Sequence, residues 1–175
     1  KNVNLTYVIM DNAVYGMTKK QTSPTSPVGF KTKTDPAGAV DRPVNPVKKL
    51  LAAGATFIAR THASQINHMS QMIERAAEHD GFSVVQVLSD CSTFYPDAFD
   101  SANPRKNGEF KTIEEKKWDQ TPEDELRHDV SDEVAAYRLA DLPFPGCFGV
   151  FYEVGRATKN EVERIGIDSV RPNTG

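Results

Sequence analysis

Two adjacent side chains at the end of an apolar run could help to bind a metal ion. Residues 6–10 read TYVIM, and Asp11 and Asn12 follow directly. An amide oxygen beside backbone carbonyls offers the hard oxygen ligands that Mg²⁺ prefers and often shares with substrate phosphates. Gly16 allows the backbone to approach a ligand closely. The same residues are also typical of a plain capped turn, because Asx side chains hydrogen-bond to nearby backbone.

A cysteine stands in a comparable position after a later apolar run. Cys91 follows residues 82–88, and the only other cysteine is Cys147. Two cysteines do not make a disulfide framework and favour a reducing, cytoplasmic location. A single thiol after a strand is most often structural. His62 and His68 have no second ligand at metal spacing, so we expect structural roles for them as well.

The elements that must position these residues alternate between strands and helices. Strands are predicted at residues 6–10, 56–59 and 82–88, and the first should be buried on both faces. One helix should start at Asn45-Pro46 and end at Gly54. A second should run from a Ser64 cap to His79. This order predicts an α/β fold, a parallel sheet with helices on both faces, in which Asn12 and Cys91 share one edge.

The remaining segments are less regular. Residues 19–44 have no periodicity and are expected to form a long loop, either functional or without fixed structure. Residues 94–119 read as an excursion with a short helix at 111–118. A further helix is predicted from Thr121 to about Ala140. Residues 143–154 should be a strand or hairpin arm, and 156–175 a polar tail that is poorly ordered.

Composition excludes several classes of protein. The chain has 175 residues, 38% of them hydrophobic, which is enough for one domain with a core. Its net charge of −3 argues against a non-specific nucleic-acid partner. No apolar run is long enough to span a membrane, and no signal peptide is visible.

A longer motif points to a known family. Residues 11–27, DNAVYGMTKKQTSPTSP, resemble the second half of the thiamin diphosphate and Mg²⁺ motif in the β subunit of 2-oxoacid:ferredoxin oxidoreductases. That pattern runs Asp-Asn-x-x-Tyr-Gly-(Met/Leu)-Thr-(Gly/Lys)-Gly-Gln, followed by Ser-Pro-Thr. Lys20 stands where the family usually has Gly, which puts the local turn in question. A weaker resemblance continues through residues 52–56 and 87–91 towards the C-terminus.

The resemblance implies a thiamin diphosphate-binding fold that is incomplete at its N-terminus. The family's Gly-Asp-Gly-Asp segment and its N-terminal cysteines have no counterpart in the sequence. Residues 1–93 would then be the C-terminal half of the cofactor-binding α/β domain. Residues 94–175 would be a C-terminal extension and arm that packs on this domain and on a partner subunit.

The resemblance also implies a cofactor site. The side-chain amide oxygen of Asn12 and the backbone carbonyl of Val14 would be Mg²⁺ ligands. Met17, at the variable Met/Leu position of the motif, would also shape the substrate pocket. The positions that would bind thiamin diphosphate are Gly16, Met17, Thr18 and Gln21.

Cys91 would have a redox role by the same resemblance. The family places one thiolate ligand of a [4Fe-4S] cluster at this point, after Leu-Ser-x, and Asp90 replaces the usual Pro. The other cluster ligands would lie outside this chain, since Cys147 has no counterpart in the family pattern.

The implied activity is oxidative decarboxylation of a 2-oxoacid to an acyl-CoA, with coenzyme A as co-substrate and ferredoxin as electron acceptor. The motif leans towards 2-oxoglutarate or a broad range of 2-oxoacids, without deciding which. The partners would be an α subunit, in an αβ or α2β2 assembly, and ferredoxin. Two alternatives stay open: a non-redox thiamin diphosphate decarboxylase, and a catalytically silent module that pairs with an α-type subunit.

Overall fold

A four-stranded mixed sheet organises the chain in a computed structural model that describes residues 2–115 and 127–170. Three of its strands are parallel, in the spatial order β1-β3-β2, and β6 pairs antiparallel with β2 at the other edge. A separate two-stranded ribbon joins β4 to β5. The strands are β1 (Leu5–Asp11), β2 (Phe57–His62), β3 (Phe82–Leu88), β4 (Glu114–Glu115), β5 (Arg127–His128) and β6 (Gly149–Glu153).

Helices cover both faces of the sheet, which confirms the predicted α/β class. Ile58 and Val84 face a core shared with α1 and α3, whereas Phe57 and Val85 face α2. This division follows from the period-two alternation of side chains along a strand. The helices are α1 (Pro46–Ala52), α2 (Ile66–Glu78), α3 (Glu133–Ala140) and α4 (Lys159–Val170), with short 3₁₀ turns at Asp100–Ala102 and Pro104–Lys106.

The caps of the first two helices differ. Asn45 caps α1 as predicted, because its side-chain oxygen accepts the Lys48 backbone N–H at 3.3 Å. Ser64 does not cap α2, which begins at Ile66 after Gln65 without a side-chain cap bond. The backbone N–H and hydroxyl of Ser64 contact Nδ1 of His62 instead, at 3.0 and 2.8 Å.

The prediction that β1 is buried on both faces was wrong. Leu5, Tyr7 and Met10 are 51%, 54% and 63% exposed. Within the described residues β1 pairs with β3 alone, so it is an edge strand. An apolar run in the sequence does not by itself distinguish a central strand from an edge strand.

Three C-terminal predictions also need correction. Residues 111–115 are not helical: the Ile113 N–H donates to the Phe148 carbonyl at 2.7 Å, and β4 follows. The helix predicted from Thr121 begins only at Glu133, after Asp132, whose side chain accepts the Ala135 N–H at 3.0 Å. Residues 116–118 and 121–126 of these two predictions lie outside the described residues.

The third correction concerns the polar tail, which forms α4 where we expected little order. Thr158 and Glu161 make a reciprocal capping box: the Thr158 N–H donates to Glu161 at 2.6 Å, and the Glu161 N–H donates to Thr158 at 3.4 Å. Such a pair satisfies two donors at a helix start. Residues 171–175 of the predicted tail lie outside the described part.

The two remaining segments agree with the sequence. The strand predicted within 143–154 is β6, which joins the same sheet as β1–β3. The loop at 19–44 is irregular, with bonds of its own: Thr22 donates to Asp35 at 2.6 Å and the Gly29 N–H to the Ala39 carbonyl at 2.7 Å. None of the helices in the described ranges is long and apolar enough to cross a membrane.

Candidate functional site

Asp11 stabilises the turn that follows β1 through hydrogen bonds of its side chain. Its carboxylate is buried and accepts the Ala13 N–H at 3.1 Å and the Thr25 hydroxyl at 2.6 Å. The Ser26 hydroxyl donates to the Ala13 carbonyl at 2.7 Å. The Ser-Pro-Thr-Ser segment is therefore a support for this turn. Sequence reasoning missed that role, although the segment lies in the motif.

The two predicted Mg²⁺ ligands lie next to each other in this turn. The side-chain oxygen of Asn12 accepts the Val14 N–H in a long bond of 3.3 Å, which is the Asx-turn geometry. The Val14 carbonyl accepts no hydrogen bond from any described residue, although Val14 is buried. Buried carbonyls are rarely left without a partner. An amide oxygen and a free carbonyl two residues apart are hard donors that fit Mg²⁺.

The motif then folds back on itself. The Tyr15 N–H donates to the Gln21 carbonyl at 2.9 Å, and Lys19 and Lys20 take positive φ values of 66° and 70°. Positive φ is uncommon outside glycine, which explains why the related pattern has Gly at the position of Lys20. The turn therefore forms with lysine present, and the Lys20 ammonium lies 5.3 Å from the centre of the Phe30 ring.

Gly16 lies between Asn12, a predicted Mg²⁺ ligand, and Cys91, the predicted cluster ligand. A Cβ atom added to Gly16 would lie 2.9 Å from the sulfur of Cys91 and 4.0 Å from the amide nitrogen of Asn12. Asn12, Gly16 and Cys91 are therefore neighbours at the carboxyl edge of the parallel strands, where such sheets bind ligands. The thiol approaches this closely only because residue 16 has no side chain.

The other motif residues are more open. The Met17 side chain is fully exposed, so it does not pack in the core of the described chain. Thr18 is exposed and its hydroxyl donates to the Tyr15 carbonyl at 3.2 Å. Gln21 is half-buried and contributes to the turn through its backbone. These side chains lie at the surface beside the Asn12–Gly16 turn, where a cofactor and a facing subunit could reach them.

The two cysteines have different environments. Cys91 is partly exposed, whereas Cys147 is buried with its sulfur 3.9 Å from the Leu139 carbonyl. Burial raises the pKa of the Cys147 thiol to about 11, which disfavours the thiolate that metals bind. The described residues hold no group of three His, Cys, Asp or Glu side chains that could bind a metal ion. They therefore cannot hold an iron–sulfur cluster alone, and Cys91 could give one of its four thiolates.

The histidines have structural partners. His68 Nδ1 lies 2.8 Å from the Thr61 hydroxyl, and its ring meets Phe110 edge to face. His62 pairs with Ser64. Burial lowers the pKa of both His62 and His68, which favours neutral rings. These contacts agree with the structural roles expected from the sequence.

A buried polar chain that sequence reasoning missed runs under the site. Arg60 Nε donates to Gln86 at 2.9 Å, and the Gln86 amide donates to Asp11 at 2.8 Å. The guanidinium lies 5.1 Å from the centre of the Phe151 ring. Burial lowers the pKa of Arg60, and the nearby Cys147 and Asp11 oppose this shift. The available signal was the presence of Arg60 and Gln86 inside otherwise apolar strands.

The family comparison agrees with the resemblance predicted from the sequence. Residues 1–87 match the family described as "Thiamine pyrophosphate enzyme, C-terminal TPP binding domain". The chain is 43% identical over 108 residues to the 2-oxoglutarate oxidoreductase subunit KorB of Mycobacterium tuberculosis, which is 62% of this chain and 28% of that protein. It is 32% identical over 152 residues to 2-oxoacid:ferredoxin oxidoreductase 1, subunit beta, of Aeropyrum pernix, which is 87% of this chain and 47% of that one.

A solved structure of an enzyme with a similar name is also similar to this chain. The 2-oxoglutarate:ferredoxin oxidoreductase from Magnetococcus marinus, with 2-oxoglutarate, coenzyme A and succinyl-CoA bound, superposes with a TM-score of 0.77 at 32% identity. The match covers 98% of this chain and 60% of that chain. The matched region spans less than half the length of both curated relatives.

Proposed function

Residues 1–87 belong to the thiamine pyrophosphate enzymes, as their C-terminal TPP-binding domain, and on this premise we propose a specific enzyme. The chain is the β-subunit portion of a 2-oxoacid:ferredoxin oxidoreductase. The reaction is oxidative decarboxylation of a 2-oxoacid to an acyl-CoA, with ferredoxin reduction. The observation that carries the proposal is the meeting of Asn12, Gly16 and Cys91 at one edge of the sheet.

Asn12 and Val14 have the role of holding Mg²⁺ against the diphosphate of the cofactor. The free carbonyl of Val14 and the weakly bonded oxygen of Asn12 support this assignment. When bound, thiamin diphosphate supplies a nucleophilic carbon and an electron sink for decarboxylation. Asp11 keeps the turn in place, since it bonds both the Ala13 N–H and the Thr25 hydroxyl.

Gly16, Met17, Thr18 and Gln21 form the surface on which the cofactor lies. Gly16 permits close approach, and the exposed Met17 side chain is free to contact substrate. Cys91 gives one thiolate of a [4Fe-4S] cluster, whose other three ligands come from outside the described residues. Its position beside Gly16 supports a short path between cofactor and electron acceptor.

The partners follow from the same assignment. An α-type subunit completes the enzyme as an αβ or α2β2 assembly, coenzyme A takes the acyl group, and ferredoxin takes the electrons. The names of the Mycobacterium tuberculosis relative and of the structural neighbour support 2-oxoglutarate within the 2-oxoacid class. In this arrangement residues 1–93 contribute the cofactor-binding part, and residues 94–175 pack on it and on the partner.

The test uses the complete β subunit that contains this chain, co-expressed with its α subunit. We expect 2-oxoglutarate- and coenzyme A-dependent reduction of ferredoxin.

We also expect Asn12→Ala to weaken Mg²⁺-dependent thiamin diphosphate binding by more than the ~0.5–1.5 kcal/mol of one neutral hydrogen bond. Asn67→Ala, at an exposed position of α2, is the matched control. Turnover without ferredoxin reduction would point to a decarboxylase, and a cofactor Kd unchanged by Asn12→Ala would leave Asn12 a turn residue only.

A further inference from the structure

A cavity of about 520 Å³ opens on the sheet face that carries α1 and α3, behind the turn described above. Its walls are mostly apolar, with Leu88, Phe99, Leu142 and Phe144 among them. Polar groups converge at one end, where Arg60 and Gln86 reach it from neighbouring strands. A cavity of this size with a few convergent polar groups is typical of a small-molecule site.

The Arg60 guanidinium is the distinctive group at that end. Its Nε–H is used by Gln86, but the described residues provide no hydrogen-bond acceptor for its two terminal nitrogens. Arg60 is nevertheless only 9% exposed. A guanidinium presents its donors as a rigid fork that matches a carboxylate through two parallel bonds. A buried cation with unused donors favours an anion beside it.

Asp11 does not accept a hydrogen bond from the terminal nitrogens of Arg60. Its two oxygens are taken by the Ala13 N–H, the Thr25 hydroxyl and the Gln86 amide. Gln86 lies between the two charged groups: it accepts a hydrogen bond from the Arg60 guanidinium and donates one to the Asp11 carboxylate. The terminal side of the Arg60 fork is therefore left for a separate ligand.

We propose that this cavity binds a small organic monocarboxylate with an apolar body. The carboxylate pairs with the terminal nitrogens of Arg60, and the apolar part lies among Leu88, Phe99 and Leu142. A single carboxylate matches the two terminal nitrogens of Arg60 that have no described acceptor, whereas a phosphate dianion would add more negative charge beside the buried Asp11 than Arg60 can compensate. Apolar walls likewise favour a hydrocarbon body over a sugar or nucleotide.

This site is distinct from the cofactor edge. Asn12, Gly16, Met17 and Cys91 do not line the cavity. The cavity approaches that edge through Asp11, Ala13, Thr25 and Pro27 of the motif and through Leu88 at the end of β3. The proposal therefore stands whether or not the chain works in a 2-oxoacid oxidoreductase, and it is tested by binding alone.

The first test compares an acid with its amide by titration calorimetry on the 175-residue chain. We expect 3-phenylpropanoate to bind saturably and 3-phenylpropanamide to bind about 10- to 100-fold more weakly, since hydrogen bonds to charged groups are the stronger ones. No saturable binding of the acid, or equal binding of the two compounds, would overturn the proposal.

The second test uses variants at opposite sides of the cavity. Arg60→Met should weaken acid binding about 10- to 100-fold and leave amide binding unchanged. Ser101→Trp places a large ring on an exposed wall residue and should abolish binding of both compounds without touching the core. Gln71→Trp, on the exposed face of α2, should behave as wild type. If Arg60→Met fails to fold, Ser101→Trp still decides: full binding by this variant would place the ligand elsewhere.

Discussion

At the scale of single residues, the contact between Gly16 and Cys91 gives a sharp prediction. Gly16→Ala should destabilise the chain by about 1 kcal/mol, the lower end of the usual cost of overpacking, because the new Cβ would lie 2.9 Å from the Cys91 sulfur, and this partly exposed thiol can relieve the contact by rotating its side chain. Gly16 does not have positive φ, so the cost comes from this contact and not from backbone strain. Urea unfolding measures it.

The control for this contact is Gly155→Ala, since a Cβ at Gly155 would meet nothing within 4 Å. Adding Cys91→Ala to Gly16→Ala removes the clashing sulfur and should recover most of the lost stability, which a double-mutant cycle would detect. Equal effects of Gly16→Ala and Gly155→Ala would mean that sulfur and backbone are not in contact.

The two thiols should differ in reactivity. Iodoacetamide at pH 8 should modify Cys91 in the folded chain and spare Cys147, because burial shields that thiol and raises its pKa to about 11. Mass spectrometry would show one label on the native chain and two after denaturation. Cys147→Ser should keep the native label, whereas loss of that label would assign it to the buried thiol.

Met17 should influence substrate choice and not folding. In the complete enzyme, Met17→Asn should change relative kcat/KM values among 2-oxoacids, because an exposed side chain next to Gly16 can face bound substrate. The free energy of unfolding should stay within about 0.5 kcal/mol, as for other surface substitutions. An unaltered substrate profile, measured against Met69→Leu in α2 as control, would remove Met17 from the substrate pocket.

At the scale of elements, the sequence predicted what local chemistry and periodicity determine. β2, β3 and the Asn45 cap were predicted from apolar runs and cap residues that agree with the tertiary structure. The exposure of β1 was not, because sheet order decides which strand is at the edge. Residues 111–113 pair with Phe148 and residues 114–115 with β5 instead of forming a helix, since long-range contacts override a weak local preference.

Some residues of the candidate site were likewise predictable from the sequence, and others depend on the tertiary structure. The motif gave Asn12, Val14 and Gly16, and the parallel order of strands predicted that Cys91 would share their edge. The Arg60–Gln86–Asp11 chain could not be derived, since it depends on the register that puts Arg60 opposite Gln86. α4 was predictable in principle, because the spacing of Thr158 and Glu161 is a capping box.

That capping box gives an element-scale prediction. Two hydrogen bonds from Thr158 hold the pKa of Glu161 below its ordinary value. The contribution to stability is therefore present above the unfolded-state pKa and is lost as the pH falls through the lower folded-state value. Hydrogen exchange of the α4 amides should accordingly show protection that decreases, relative to neutral pH, under acidic conditions.

Two variants test whether the capping box, and not another ion pair of α4, causes this pH dependence. Thr158→Ala should cost about 0.5–2 kcal/mol, the usual effect of losing an N-cap side chain, and should reduce the pH dependence without abolishing it, because the backbone N–H of residue 158 still donates to Glu161. Glu163→Gln, which breaks only the exposed pair with Lys159 at 3.2 Å, should leave both nearly unchanged. Identical exchange profiles for the two variants would show that the box does not stabilise α4.

At the scale of the whole molecule, the proposed Mg²⁺ site takes only two of its six ligands from the described residues. Asn12 and Val14 offer two oxygens for Mg²⁺, and the described residues hold no group of three acidic, histidine or cysteine side chains that could complete it. Mg²⁺ requires near-octahedral geometry, and two ligands from one turn leave most positions to water and phosphate. Met17 and Thr18 are exposed beside this turn, as expected if the proposed partner subunit faces it.

We therefore expect the 175-residue chain alone to bind thiamin diphosphate and Mg²⁺ weakly or not at all, and the complete β subunit with its α subunit to bind them tightly. Binding energy lost with the missing ligands and the facing surface cannot be recovered by one turn, however well Asp11 and Thr25 support it. Titration calorimetry on both preparations makes the comparison, with Asn12→Ala in the complete enzyme as the reference for a damaged site. Tight binding by the chain alone would mean that its own residues complete the metal site, and the assignment of Asn12 and Val14 as two shared ligands would have to be replaced.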